Sequence, residues 1–121
     1  MKNKINIFFA LMLWTVVGCG HSDGYRNYKL MCGNCHMDQA EGLLSLVPPL
    51  EEAAFTQRRS ATICKIYQGT NDSLTGQYMP AFKLISNADL ANVLNYIIRL
   101  KEFGAKPFTD VEIKTYIENC R

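Results

Sequence analysis

Histidine is scarce in this sequence, with only His21 and His36 among the 121 residues. A zinc site built on one pair of cysteines needs a second pair or a further Cys/His motif, and His21 alone does not supply one. The lack of a third histidine also leaves no evident acid/base pair for enzymatic turnover. His21 falls in a short segment near the N-terminus, where we interpret it as a solvated linker residue.

The sequence also lacks any sustained strand-like alternation and any internal repeat. Apolar residues recur at helical spacing instead. We expect helices at 24–36, with Asp23 as a cap, at 51–57, at 60–69, with Ser60 as a cap, and at 86–103, and a surface loop over 68–76. The chain is long enough for one small domain. It therefore predicts a single all-α domain over residues 24–121.

Charge of either sign is not in excess, since the formal net charge is +2. Lys2 and Lys4 lie in a segment that we expect to be removed, and without them 11 basic residues face 11 acidic ones. The mature chain is therefore close to neutral. Nothing in this balance indicates a nucleic-acid partner.

No hydrophobic run is long enough to span a bilayer as a helix, which needs about 20 residues. The mostly apolar run 5–17 follows two lysines, and this arrangement predicts a signal peptide over residues 1–18 that is removed. Val16-Val17-Gly18-Cys19 resembles a bacterial lipobox, which implies a lipid anchor on Cys19 and a short tether over 19–23. The alternative is an ordinary signal peptide with an incidental cysteine. Acylation would leave four other cysteines.

The most informative motif is Cys32-Gly33-Asn34-Cys35-His36. Two thiols three positions apart lie on one side of a helical turn, where both can add to the vinyl groups of one haem while the next imidazole ligates the iron. A thioredoxin-like redox pair would need flanking strands, which are not evident here. The motif therefore predicts covalent attachment of a haem to Cys32 and Cys35, with His36 as an iron ligand.

The surrounding residues resemble those of class I c-type cytochromes. Gly24-x-x-x-Tyr28-x-x-x-Cys32 is similar to the first helix of that family, in which a small residue lets a later helix cross closely. The resemblance also implies that the carbonyl of Pro48, twelve residues after His36, orients the imidazole, and that Leu50 packs on the haem.

A second motif, Gln77-Tyr78-Met79-Pro80-Ala81-Phe82, resembles the axial-methionine loop of the same family. A thioether is a soft ligand that pairs with histidine in cytochromes c and raises the reduction potential. Met31 and Met37 flank the haem motif on the proximal side, so Met79 is the candidate for the second ligand. The arginines Arg58 and Arg59 are interpreted either as a solvated basic pair or as partners of a haem propionate.

The chain continues beyond the usual pattern of this family. Thr109-x-x-Glu112 is a capping box that opens an additional C-terminal helix, in which Cys120 falls on the apolar face. Cys64 is the remaining candidate partner, so we predict a Cys64–Cys120 disulfide. Two free buried thiols are the alternative.

Together these features predict a small cytochrome c fold of about five helices around one covalent haem c, with an extra C-terminal helix. The resemblance implies a one-electron carrier and not an enzyme. We expect the protein to be exported and anchored by lipid at a membrane, facing the periplasm or cell exterior. Its expected partners are redox proteins or membrane respiratory complexes. The alternatives are a fixed haem subunit of a larger respiratory or reductase complex, and a haem-based sensor or peroxidase-like enzyme.

Overall fold

The computed structural model describes residues 23–121. Six helices and one two-stranded sheet follow one another along this part of the chain: α1 (Asp23–Met31), α2 (Gly33–His36), α3 (Glu52–Thr56), α4 (Arg59–Gln68), β1 (Thr70–Asp72), β2 (Gln77–Met79), α5 (Asn87–Leu100) and α6 (Asp110–Glu118). The prediction of an all-α domain is confirmed in that the described chain is mostly helical, and it is wrong in leaving out the two strands. The predicted signal peptide, His21 and the lipid-anchor candidate Cys19 lie outside the described residues.

The predicted surface loop over 68–76 is mostly exposed and contains a turn, but it also includes the strand β1. β1 and β2 form an antiparallel hairpin in which Thr70 pairs with Met79. The carboxylate of Asp72 accepts hydrogen bonds from the backbone N–H groups of Leu74 and Thr75, at 2.9 and 3.3 Å, and so stabilises the turn. Strands of three residues are too short to show an alternating pattern in the sequence, which is why only the turn residues were recognisable.

The helix predicted over 24–36 is divided in two at Cys32. The N–H of Cys32 still bonds to the carbonyl of Tyr28 at 2.8 Å, and its own carbonyl accepts from the N–H of His36 at 2.8 Å. Asp23 already lies inside α1, so it is not the predicted cap. The break separates the helix that packs in the core from the single turn that carries Cys35 and His36.

Two of the predicted helix caps, Ser86 and Thr109, are confirmed, whereas Ser60, like Asp23, is not a cap. The hydroxyl of Ser86 accepts a hydrogen bond from the N–H of Asp89 at 3.1 Å, and that of Thr109 accepts from the N–H of Glu112 at 3.2 Å. These side chains satisfy backbone donors that the first turn of a helix leaves without partners. Ser60, by contrast, lies within α4, which begins one residue earlier.

The crossing of α1 and α5 forms the centre of the core. A Cβ atom on Gly24 would lie 2.3 Å from the carbonyl oxygen of Asn92 and 3.0 Å from the Cβ of Tyr96, so glycine is required for this approach. The ring of Tyr28 packs on that of Tyr96 with centroids 5.3 Å apart. The expected contact between these two helix faces is therefore present.

The chain after α5 returns across the back of the domain. Asn95 donates from Nδ2 to the carbonyl of Phe108 at 2.9 Å and accepts from the N–H of Phe108 at 2.7 Å. Helix α6 then packs against α4 and α5, with Ile113 fully buried. The structure joins Cys64 and Cys120 in a disulfide, the pair that the sequence analysis expects.

Candidate haem site

A cavity of about 390 Å³ opens between the elements that carry the two sequence motifs. Its volume falls in the range of about 300–1,000 Å³ that is usual for small-molecule and cofactor sites. Most of its wall is apolar, with contributions from α4, α5 and the loops between elements. The large apolar side chains include Leu50, Phe55, Ile66, Phe82, Ile85, Leu90, Val93, Leu94 and Ile97.

The two motif cysteines line this cavity, Cys32 from the position between α1 and α2 and Cys35 from within α2. Cys32 is half-buried and Cys35 is exposed, and both are free thiols that line the cavity. Burial, and secondarily the neighbouring Cys35, raises the pKa of the Cys32 thiol to about 11. Both thiols are therefore placed where a ligand inside the cavity could be bonded covalently to the chain.

His36 lines the same cavity from the last residue of α2. Its Nδ1 is buried and makes no hydrogen bond in the described part of the chain. Burial lowers the pKa of the imidazole, while the carbonyl of Pro48 acts in the opposite direction. The ring is thus favoured in the neutral form that a metal ligand requires. The carbonyl oxygen of Pro48 is the nearby acceptor to which the Nδ1–H group of a metal-bound imidazole would donate.

The loop after His36 brings Pro48 and Leu50 back to the cavity wall. Its start is held by Tyr28, whose hydroxyl donates to the carbonyl oxygen of Met37 at 2.6 Å. Its end is held by the N–H of Leu50, which bonds to the carbonyl of Ala40 at 3.0 Å. Met37 and Ala40 have positive φ angles of 64° and 56°, a conformation that L residues rarely adopt. The fold therefore maintains a strained loop next to the imidazole.

Met79 reaches the cavity from the last residue of β2. The chain around it passes close to the end of α4: a Cβ on Gly69 would lie 2.7 Å from the carbonyl oxygen of Met79. Met31 also contributes to the cavity wall, from the residue before Cys32. Met37 does not line the cavity. The structure thus brings His36 and Met79 together across 43 residues of sequence, which no local pattern could guarantee.

The two arginines considered from the sequence occupy different places. Arg58 lines the cavity, and its guanidinium lies 3.6 Å from the carboxylate of Glu51. Arg59 does not line the cavity but pairs with Glu112 at 2.7 Å. Lys65 also lines the cavity. Arg58 and Lys65 are therefore the cations that could bind a propionate-sized anion in the cavity. Arg59 instead pairs with Glu112 in the C-terminal region.

Sequence reasoning missed the apolar rim of the cavity. Leu46 and Tyr78 both line it and are 61% and 69% exposed. The two rim segments are linked, because the side-chain amide of Gln77 donates to the carbonyl of Ser45 at 3.3 Å. An exposed leucine in a loop and a tyrosine beside Met79 carry no distinctive sequence signal, since their proximity depends on the hairpin.

The residues at this cavity fit a haem c. Two thiols can form thioether bonds, a neutral imidazole and a thioether are the two axial ligands that cytochromes c use, and the remaining wall is apolar. The carbonyl of Pro48 near the imidazole of His36 is the kind of acceptor that holds the second ring nitrogen of a metal-ligating histidine. Among residues 23–121, no group of three or more His, Cys, Asp or Glu side chains could hold a metal ion by itself.

The predicted signal peptide and lipid anchor lie in residues that the structure does not describe. Within residues 23–121, no helix is both long and apolar enough to cross a bilayer. The predicted anchor at Cys19 and the tether leading to Asp23 fall before this part or at its first residue.

Comparison with known protein families shows which family the chain resembles. The family model described as cytochrome c oxidase, cbb3-type, subunit III matches residues 21–97. This range contains the haem motif, α4, the hairpin and most of α5, and it ends before α6. No curated protein matches the chain.

Proposed function

Since the chain belongs to the cytochrome c oxidase, cbb3-type, subunit III family, we propose that it is a mono-haem c-type cytochrome that transfers single electrons between respiratory redox partners outside the cytoplasm. The family membership supports an electron-transfer haem protein. We further propose that the protein binds one haem, that His36 and Met79 ligate its iron, and that a membrane tether precedes the domain.

One observation carries the proposal: both cysteines of the haem motif, His36 and Met79 line a single apolar cavity. A bound haem supplies the one-electron couple. Cys32 and Cys35 would hold the group to the chain, and His36 and Met79 would ligate its iron. Saturated coordination favours electron transfer over the binding of small ligands.

The cavity mouth suits a transient redox partner. Leu46 and Tyr78 are exposed beside the cavity, and redox encounters use small and weak interfaces. The near-neutral overall charge disfavours strong electrostatic steering of a partner. A short tether would instead raise the local concentration of the protein near a membrane-bound partner.

The spectrum of the purified full-length protein tests the ligand assignment. We expect a haem that stays with the polypeptide after denaturation and an absorption band of methionine-ligated ferric iron. Met79→His should abolish that band and lower the reduction potential by a substantial part of the roughly 0.8 V range that axial ligands span. Met31→Leu, at another position of the cavity wall, is the matched control and should keep the band.

Three results would contradict the proposal or part of it. A wild-type protein purified without covalent haem would exclude a c-type cytochrome. An unchanged spectrum and potential in Met79→His would exclude Met79 as a ligand. Carbon monoxide binding to the reduced wild-type protein at neutral pH would instead favour a sensor or a peroxidase-like enzyme.

A second candidate is a fixed subunit of a respiratory oxidase complex, and the family description favours it because it names an oxidase subunit. The two candidates differ in the state of the protein after mild solubilisation. A carrier should migrate alone in native gels, whereas a fixed subunit should migrate with partners.

The location is also a proposal, and it depends on residues 1–23. Mass analysis of the mature protein should find a diacylglyceryl group on Cys19. Cys19→Ala should release the protein from membranes into the soluble exported fraction. An unmodified mature N-terminus together with membrane retention in Cys19→Ala would exclude the lipid anchor.

A further inference from the structure

Helix α4 separates the cavity from the C-terminal region. One side of α4 lines the cavity through Ala61, Thr62, Lys65 and Ile66. The opposite side of α4 contacts residues 104–120, which include α6. We call this segment the C-terminal brace. The brace follows the end of the matched family region at residue 97.

The brace is attached to the start of α4 through Arg59. The guanidinium donates to both carboxylate oxygens of Glu112, at 2.9 and 2.7 Å, and to the carbonyl of Lys106 at 2.7 Å. It also lies 3.6 Å from the ring centroid of Phe108. The side chains of Arg59 and Glu112 are only 13% and 25% exposed. This is a bidentate, largely enclosed pair, the geometry in which arginine contacts are strongest.

A covalent link attaches the brace one turn further along the same helix. The disulfide joins Cys64 of α4 to Cys120 at the end of the chain. Between these two attachments, Ile63 of α4 and Ile113 of α6 are completely buried. The brace therefore holds α4 at two points, with apolar packing between them.

The other end of α4 holds the chain that carries Met79. The N–H of Phe82 donates to the carbonyl of Ile66 at 3.0 Å, so the segment after Met79 is tied to the last turn of α4. A Cβ on Gly69 would lie 2.7 Å from the carbonyl oxygen of Met79 and 2.8 Å from the N–H nitrogen of Ala81. The position of α4 thus determines the position of the methionine segment.

We propose that the C-terminal brace positions Met79 through α4, so that release of the brace weakens the hold of Met79 on the haem iron. Helix α4 is a rigid connector, because a shift of its brace side must move Ile66 and Gly69 with it. The inference rests on the proposed function for its ligand, Met79. Arg59, Cys64, Glu112 and Cys120 are positioning residues, since none of them lines the cavity.

The test uses the full-length haem protein and imidazole, a small neutral ligand that competes with Met79 for ferric iron. Cys64→Ser/Cys120→Ser removes the covalent attachment, and Glu112→Gln is a milder variant that weakens the pairing with Arg59. Glu118→Gln makes the same change on the exposed side of α6, where Glu118 faces Lys114 at 3.9 Å. Asn27→Ala removes a 3.2 Å bond to Asp89 between α1 and α5 and lowers stability without touching α4.

We expect the affinity for imidazole to rise on the order of tenfold in the double serine variant, a common size for coupling between two sites, and to rise less in Glu112→Gln. Hydrogen exchange of the Phe82 amide should accelerate in the same order. Both controls should match the wild type in imidazole affinity and in Phe82 exchange.

Unchanged imidazole affinity and unchanged Phe82 exchange in both brace variants would overturn the inference, whatever happens to their unfolding midpoints. If the wild type carries no covalent haem, the proposed function fails, and Phe82 exchange alone then decides whether the brace positions the methionine segment. The two failures are therefore distinguishable.

Discussion

The hydroxyl of Tyr28 donates a hydrogen bond to the carbonyl oxygen of Met37 at 2.6 Å. Tyr28 is completely buried in α1, and Met37 directly follows His36 with a φ of 64°. The bond therefore ties the core helix to the strained residue beside the proposed iron ligand. Backbone strain of this kind persists where surrounding contacts maintain it.

Tyr28→Phe should lower the free energy of unfolding by about 1–2 kcal/mol, because the carbonyl of Met37 loses a buried donor. Urea unfolding followed by circular dichroism measures this change. Tyr96→Phe is the matched control, since the Tyr96 hydroxyl makes no hydrogen bond among the described residues while its ring packs on Tyr28. A loss in Tyr96→Phe as large as that in Tyr28→Phe would contradict the assignment to the hydroxyl.

The same tyrosine should make the protein sensitive to alkali. Burial is the largest cause that raises the pKa of Tyr28 from 10.0 to about 12. The neutral phenol is therefore favoured in the folded state, and its contribution to stability is fully present below pH 10 and is lost as pH rises from 10 towards 12. The slope approaches about 1.4 kcal/mol per pH unit for one such group. Unfolding measured between pH 9 and pH 12 should show a shallower decline in Tyr28→Phe than in the wild type.

Gly69→Ala should disturb the methionine segment. Gly69 has a φ of 74°, and an added Cβ would lie 2.7 Å from the carbonyl oxygen of Met79. Gly76 has a similar φ of 71° but no atom within 4 Å of an added Cβ. We expect a loss of about 1–3 kcal/mol in Gly69→Ala, with tighter imidazole binding to ferric iron, and only the backbone cost of about 1 kcal/mol in Gly76→Ala.

Equal unfolding energies and equal imidazole affinities for Gly69→Ala and Gly76→Ala would contradict this prediction. That result would mean that the positive φ angle, and not the close approach to Met79, accounts for the requirement at Gly69.

Gly24→Ala should destabilise the crossing of α1 and α5. Its Cβ would lie 2.3 Å from the backbone carbonyl oxygen of Asn92, which cannot move without shifting α5. We expect a loss of about 1–3 kcal/mol by urea unfolding, the usual cost of overpacking a core. Gly104→Ala is the control, because its Cβ would meet only the flexible side chain of Glu52 at 3.3 Å. A smaller loss in Gly24→Ala than in Gly104→Ala would be inconsistent with the close crossing.

Glu112→Gln should reduce stability at neutral pH and much less in acid. The hydrogen bond from Arg59 is the largest cause that holds the pKa of Glu112 below its ordinary value of 4.5. The carboxylate therefore contributes stability above pH 4.5 that is lost as pH falls through the lowered pKa. The difference between wild type and Glu112→Gln should be about 1–3 kcal/mol at pH 7, the range for a hydrogen bond to a charged group.

Urea unfolding at pH 7 and at pH 3 measures how this difference depends on protonation. It should shrink at the lower pH, and Glu118→Gln should differ little from the wild type at either pH because its pair with Lys114 is exposed. A difference that stays constant between the two pH values would show that the charge of Glu112 is not responsible.

The motifs of the proposed site are recognisable in the sequence because the spacing within each of them is local. Cysteines at 32 and 35 followed by His36 share one helical turn wherever the turn lies, and Met79-Pro80 is recognisable within its own six-residue motif. The caps Ser86 and Thr109 are also local, since each hydroxyl meets the N–H three residues later. Local spacing is set by backbone geometry, which does not depend on the rest of the fold.

The role of Arg59 was not predictable in the same way. Its partner Glu112 lies 53 residues away, and the sequence left open a solvated basic pair or a propionate contact. The hairpin was missed because its pairing of Thr70 with Met79 needs a contact between two short strands, neither of which shows a pattern of its own.

The amino-acid sequence by itself determined which side chains can hold a haem and that the domain is mostly helical, because covalent spacing and helical periodicity are properties of neighbouring residues. Only the tertiary structure decided that His36 and Met79 line one cavity and that Gly69 lies against the methionine segment. It also decided that Arg59 pairs with Glu112 of the C-terminal helix. Those relations depend on how helices pack over long separations, where burial and steric fit, rather than local geometry, select the arrangement.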